Sequence, residues 1–329
     1  MIAPKLVQTL TMLAVTCAAL CVAPAGAAGA EPSTTTSATT PTPSPGVVNG
    51  VTTDQFLDRL ERADADLTRL STKIQRIRTF SDVEGGGRHL WRGELLFRAE
   101  PRPGAKAKRM FAVRFTSEIV SDAKRDIDQT YVFDGTWLLE RQGDSKQYVR
   151  RRVVAEGSDA DPLRIGEGPI PMPIGQRADD LRARFDVLLV PALEGVPEGE
   201  KFARLREMLS GCWQVRLTPR EGSPMARDFR DIRLWYRSED LLPVFAQTQN
   251  TNDTRDEVLL IQHDRQADID AAAFSTRELS TEDGWSGRVE EFRAARPAPA
   301  LPVAPAAPDA PAPAPGEAPT NAPTNAPTR

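Results

Sequence analysis

What most narrows the folds open to this chain is a succession of short segments whose apolar residues recur at every second position, grouped around a tight-turn signal at Asp134-Gly135. Trp91, Leu95 and Phe97 alternate with Arg92, Glu94 and Arg98, and Phe111, Val113 and Phe115 alternate with Ala112 and Arg114. A strand sends successive side chains to opposite faces, so this pattern makes one face of a sheet apolar. Residues 130–133 and 137–140 flank Asp134-Gly135, where glycine accepts the positive φ that a tight hairpin demands. A second turn at Gly143-Asp144 leads into residues 147–154, and the alternation resumes at 213–217, 232–236, 242–248 and 258–262. About nine strands at meander spacing are expected.

A helix is expected ahead of the strands. Thr52 and Gln55 have capping-box spacing, and Phe56, Leu60, Ala63, Leu67, Leu70, Ile74 and Ile77 follow at alternating steps of four and three. That stripe predicts one amphipathic helix of about 26 residues, roughly 40 Å long, enough to cross a curved sheet. The same period also describes a coiled coil. Two shorter helices are expected near 178–185 and 200–209, the second with Phe202, Leu205 and Leu209 on one side; either is a candidate lid. Between the two groups of strands, residues 168–175 alternate proline with Ile170, Met172 and Ile174. Proline excludes helix and central strand, yet the segment is too apolar to prefer water. It either seals the core edge as an extended loop or forms part of a cavity mouth.

The two ends differ from the middle. Lys5 is the sole charge before Glu31, residues 6–22 are an apolar run, and Ala28-Gly29-Ala30 offers a cleavage site. Residues 1–30 therefore form a cleavable export signal, with an uncleaved anchor or a lipid-modified Cys17 or Cys21 as alternatives, and the expected location is the periplasm. Cleavage leaves Cys212 as the lone thiol, so no internal disulfide staples the fold. Residues 31–50 form a Ser/Thr/Pro spacer and 296–329 a Pro/Ala-rich tail, both expected to be disordered; 51–295 is then a single domain. Without Lys5 the chain holds 41 basic and 46 acidic side chains, a net −5 with the signs interspersed, which gives no footing for nucleic acid.

Several of these segments, in order, resemble the outer-membrane lipoprotein carrier (LolA-like) family. Tyr131-Val132-Phe133-Asp134-Gly135-Thr136-Trp137-Leu138, followed by Gln147-Tyr148-Val149, resembles the family's central hairpin. Gly93-Glu94-Leu95-Leu96-Phe97 is similar to its early strand and Leu217-Thr218-Pro219-Arg220 to a mid-domain strand. Ile269-Asp270-Ala271-Ala272-Ala273-Phe274, with Gly284-Trp285 after it, is similar to its closing segment. The resemblance runs from about Phe56 to Trp285. It implies an α+β fold, a half-open antiparallel β-barrel whose concave apolar face is covered by helices and shelters the acyl chains of lipoproteins crossing the periplasm. The family's type member has an arginine directly before proline at the end of its early strand, which matters for lid closure. Here Glu100 precedes Pro101, Arg98 and Arg102 stand at other positions, and the role is not transferred.

On this reading the cavity lining or mouth is Trp91, Leu95, Phe97, Phe111, Val113, Phe115, Ile170, Met172, Ile174 and Trp213. The expected partners are acylated lipoproteins or other lipids for a monomeric chain, with an envelope protein as a further partner if the domain senses lipid or scaffolds without transferring cargo. No cofactor and no metal are expected. His89 and His263 are the only histidines, and no GxSxG, HExxH, CxxC or P-loop spacing occurs. The chain is thus not expected to be an enzyme, although a pair of carboxylates is a site that sequence alone leaves open.

Overall fold

The computed structural model describes residues 45–80, 87–155, 165, 168 and 170–291. The expected export signal, most of the Ser/Thr/Pro stretch and the Pro/Ala-rich stretch lie outside these residues. β1 (Val47–Val48) and β2 (Val51–Thr52) form a short hairpin leading into α1 (Thr53–Ala65). Thr52 caps α1 by accepting from the Gln55 backbone N–H at 3.3 Å, and its own N–H donates to Gln55 Oε1 at 3.0 Å. Phe56, Leu57 and Leu60 form the buried side of α1.

The single helix expected to run through Ile77 is corrected. α1 stops at Ala65, and the following residues are β3 (Arg69–Phe80). Thr72, Ile74, Ile77 and Thr79 are β-branched and suit an extended backbone. The side chains of β3 buried in the protein are Leu70, Thr72, Ile74 and Arg76. Two polar residues thus sit on the inward face and mask the period of two, leaving Leu70, Ile74 and Ile77 spaced as if on a helix. Both polar residues are satisfied far along the chain: Thr72 Oγ1 donates to Ile261 O at 2.8 Å, and Arg76 binds Asp256.

An antiparallel meander continues through β4 (Gly87–Arg102), β5 (Ala105–Val120), β6 (Ala123–Phe133), β7 (Trp137–Gln142) and β8 (Gln147–Arg152). The Asp134-Gly135 hairpin joins β6 to β7 as the sequence indicates, with Asp134 Oδ1 accepting from the N–H groups of Thr136 and Trp137 at 2.8 and 2.9 Å. A Cβ on Gly93 would lie 1.9 Å from Arg114 O, so glycine permits the tight crossing at a bulge between β4 and β5. The second half comprises α2 (Ala178–Arg184), β9 (Phe185–Val190), a 3₁₀ turn with α3 (Ala203–Leu209), β10 (Cys212–Pro219), β11 (Phe229–Arg237), β12 (Pro243–Asn250) and β13 (Arg255–Asp264). A strap of residues 265–285, with a 3₁₀ turn at Ala271–Phe274, then leads to β14 (Ser286–Glu290).

Twelve strands form one sheet in the order β14-β8-β7-β6-β5-β4-β3-β13-β12-β11-β10-β9, rather than the nine expected. Neighbours are antiparallel except β14, which runs parallel to β8. The sheet is therefore mixed, and its two edges do not pair, so it is not closed into a barrel. Laid flat, twelve strands would span roughly 53 Å at about 4.8 Å per step. Yet Leu138 of β7 and Phe185 of β9 join the same buried cluster as Phe56 of α1, which requires the sheet to curl around that helix. α2 adds Ala178 and Leu181 to this cluster. α3 does not cover the concave face: Leu205 and Leu209 pack with Trp235 and Phe245 on the opposite side of the sheet.

Candidate functional site

Eight of the ten residues expected to line a cavity fall in one buried cluster on the curled face, and the other two pack against it. Leu95, Phe97, Phe111, Val113, Phe115, Ile170, Met172 and Ile174 are buried there, while Trp91 and Trp213 are partly buried against it. Phe111 stacks on Phe133 at 5.7 Å between ring centres, and Trp213 meets Phe56 of α1 at the same distance. The strand residues supply the wall, whereas Ile170, Met172 and Ile174 enter from a segment that is neither helix nor strand.

Three groups hold that segment. Asp64 near the end of α1 accepts the Gly175 N–H at 2.9 Å through Oδ1 and Arg109 Nη2 at 2.9 Å through Oδ2. Arg109 Nη1, on β5, closes the triangle by donating to Gly175 O at 2.7 Å. Gly175 lies at φ +79°, and a Cβ there would fall 2.0 Å from Arg109 Nη1, so only glycine fits this corner. Gln176, 4% exposed, donates to Met172 O and Ile174 O and accepts from the Ile165 N–H. No local pattern in the chain announces this latch. Glu100, the residue before Pro101, pairs with Arg98 at 3.1 Å, while the arginine that grips the segment is Arg109, directly opposite Ala99 in the β4–β5 ladder.

Replacing Asp64 with alanine removes two charge-assisted contacts, and the expected loss is about 2 kcal/mol of stability. Backbone amides of residues 170–176 should then exchange with solvent at least tenfold faster than those of β10. Unchanged exchange in this segment would show that Asp64 does not hold it.

Clefts lie at both ends of the segment. One of about 280 Å³ is bounded by Gly168, Pro171, Phe229 and Thr248 together with Arg76, Arg78 and Asp256. The other, about 10 Å³, lies between Leu60, Asp64, Pro173, Gly175 and Tyr236. Tyr236 is 1% exposed, its hydroxyl has no hydrogen-bond partner, and burial followed by the charge of Asp64 pushes its pKa up. Two further clefts lie elsewhere: about 300 Å³ among β6, β7, β8 and β14, and about 480 Å³ under the 265–285 strap.

The groups considered for catalysis are engaged in structural contacts. His89 Nδ1 lies 3.6 Å from Glu118, whose carboxylate also binds Arg125. His263 Nε2 meets Pro243 O at 2.7 Å, and burial lowers its pKa. Burial raises the Cys212 thiol pKa, with Glu239 adding to the shift. No group of three or more His, Cys, Asp or Glu side chains suited to a metal occurs among the described residues. No helix among them is long and apolar enough to cross a membrane.

The arrangement defines a class: an open, curled sheet wrapped around an apolar interior that is completed by a helix and an irregular, latched segment. The chain matches no family model and no curated protein. Among solved structures it is similar to an uncharacterized conserved protein from Thermus thermophilus, 13% identical, covering 73% of this chain and 99% of that one, with a TM-score of 0.37. A LolA superfamily protein from Nitrosomonas europaea is 10% identical over 69% of this chain and 98% of that one, with a TM-score of 0.31. MucB in its complex with MucA from Pseudomonas aeruginosa is 15% identical over 68% of this chain and 60% of that one, with a TM-score of 0.33. The geometry above carries the functional reading.

Proposed function

We propose that this chain is an exported binding protein that takes the acyl chain of a lipid or lipoprotein into the interior of its sheet and carries it toward the outer membrane. On this proposal residues 1–30 direct export to the periplasm and are removed, 51–295 bind, and the flanking low-complexity stretches act as tethers. One observation carries the reading: Ile170, Met172 and Ile174 fill the apolar face from a backbone with no strand or helix pairing, and a cleft of about 280 Å³ borders that segment at Gly168 and Pro171. Such a segment is a plug that hydrocarbon can replace without breaking the sheet. Exposing sixteen carbons to water costs on the order of 12 kcal/mol, so an enclosed interior is a better shelter than a surface patch. The ten wall and plug residues named above are the proposed contacts.

Native mass spectrometry of the purified chain tests this directly. The expected result is a co-purified lipid or acylated peptide, together with binding of a sixteen-carbon fluorescent fatty acid. A protein that is empty and also ignores the fatty acid would remove the basis for an acyl site. A second reading, a lipid sensor with a protein partner, is favoured by β14, whose outward edge is unpaired among the described residues and carries Val289, 39% exposed. Vesicle transfer separates the two: a carrier withdraws a tri-acylated lipoprotein and passes it on, whereas a sensor leaves it in place.

A further inference from the structure

The opposite, convex face of the sheet holds a groove that the proposed function does not use. Leu96 of β4, Ala112 of β5, Val132 of β6 and Leu139 of β7 form its apolar floor. Ala272, Ala273, Ser275 and Leu279 of the strap form its roof. The roof presents mostly small residues, Ala272, Ala273 and Ser275, to this floor, and about 480 Å³ stays open where a fully packed strap would leave none. That volume is within the range of small-molecule sites. The roof is fixed at several points. Phe274 and Ile269 are buried, Thr276 Oγ1 donates to Asp134 Oδ2, and Arg150 pairs with Glu278 at 3.4 Å.

The rim is cationic. Arg114, Arg141 and Arg277 border the groove. Asp128 occupies one side of the first two, 3.6 Å from Arg114 and 3.1 Å from Arg141. Glu94, the one acidic residue in the lining, is held by Lys73 at 3.1 Å. Four cationic groups therefore face two carboxylates. Arg277 is exposed and makes no ion pair among the described residues, and the Arg141 Nε is buried without a hydrogen-bond partner. Asp128 accepts from Arg141 Nη2 at 3.1 Å, so a carboxylate already suits one side of this guanidinium, and a second carboxylate on the groove side would find Arg277 beside it.

We propose that this groove binds one fatty-acid molecule, its hydrocarbon between the β4–β7 floor and the alanine-rich roof and its carboxylate at Arg141 and Arg277. The site is separate from the plugged interior, since the floor residues project from the other face of the same strands. It gives the chain a second, single-chain ligand whose binding leaves the plug in place.

A dodecanoate bearing a photoreactive diazirine on its chain, crosslinked to the purified chain and mapped by mass spectrometry, tests the assignment. Labels are expected on Leu96, Val132, Leu139 or residues 271–279. Arg277→Ala should weaken dodecanoate binding about tenfold, within the range for loss of one charge-assisted contact. Dodecanol should bind the parent chain more weakly by a similar factor. Ala273→Leu, which fills the groove from an already half-buried position, should abolish the labelling while leaving uptake of longer acyl chains by the interior unchanged. Labels confined to interior residues such as Phe111 and Met172 would overturn the convex site but support the interior one. No labelling, or equal affinity for dodecanol and dodecanoate, would also overturn it.

Discussion

Asp256→Ala is expected to destabilise the fold by about 3–5 kcal/mol, the usual result of removing one partner from a buried ion pair. Asp256 is 4% exposed and accepts from Arg76 through Nε and Nη2, both at 2.8 Å, and from Arg78 at 3.0 and 2.6 Å. Alanine would leave the Arg76 guanidinium, whose residue is 8% exposed and which lies 5.7 Å from the Trp91 ring, without its counter-charge. The position amplifies the effect. β3 and β13 form the ladder that joins β3–β8 to β9–β13, so Arg76 and Asp256 tie together the two halves of the sheet. Urea unfolding of the variant should show a lowered midpoint, and a loss below about 1 kcal/mol would contradict the assignment. Arg76→Met combined with Asp256→Leu should recover most of the loss, because matched apolar replacement removes both desolvated charges.

The same triad sets an acid limit. Burial alone would raise the Asp256 pKa, but hydrogen bonds from Arg76 and the charges of both arginines outweigh it and hold the carboxyl below its ordinary 3.8. A depressed folded-state pKa contributes stability that is fully present above the unfolded value and is lost as pH falls through the folded one. Acid unfolding of the parent should therefore steepen below about pH 4, and Asp256→Asn should remove that component.

How much of this was legible in the sequence depends on where each residue finds its partner. The β5–β7 strands showed in the alternation of Phe111, Val113 and Phe115 and in Asp134-Gly135, because both signals are local. β3 did not, because Thr72 and Arg76 turn inward and are satisfied by Ile261 and Asp256, which lie far downstream. β14 carries mostly exposed residues and is a strand only by pairing with β8. β9 follows directly on α2 with no turn between them, so its six residues read as the end of a helix and a loop. The helix at residues 203–209 was legible from Leu205 and Leu209, but its side of the sheet was not, since Trp235 and Phe245 fix that. At the site, composition showed that Ile170, Met172 and Ile174 must be buried. Asp64 and Arg109, which hold them, are ordinary charged residues whose meeting at Gly175 is set by tertiary structure alone.

Met172→Ala separates a plug from a permanent core element. Met172 is 4% exposed in the interior cluster, and its truncation should lower the stability of the ligand-free protein by about 2–4 kcal/mol, as for any large-to-small change in a packed core. An ordinary core position gains nothing in exchange. A plug competes with the incoming acyl chain for the same apolar wall, so shortening it weakens the competitor, and a sixteen-carbon fatty acid should bind the variant about ten- to a hundredfold more tightly, the equivalent of about 1.4–2.8 kcal/mol. At a free concentration a hundred times the variant's Kd, the ligand should restore about 2.7 kcal/mol and bring the variant back near the parent. Phe245→Ala on the opposite face, where the parent residue is 4% exposed, should lose a comparable 3–5 kcal/mol with no gain in acyl binding. Equal fatty-acid affinity in Met172→Ala and the parent would show that residues 170–174 are fixed core and that hydrocarbon does not enter by displacing them.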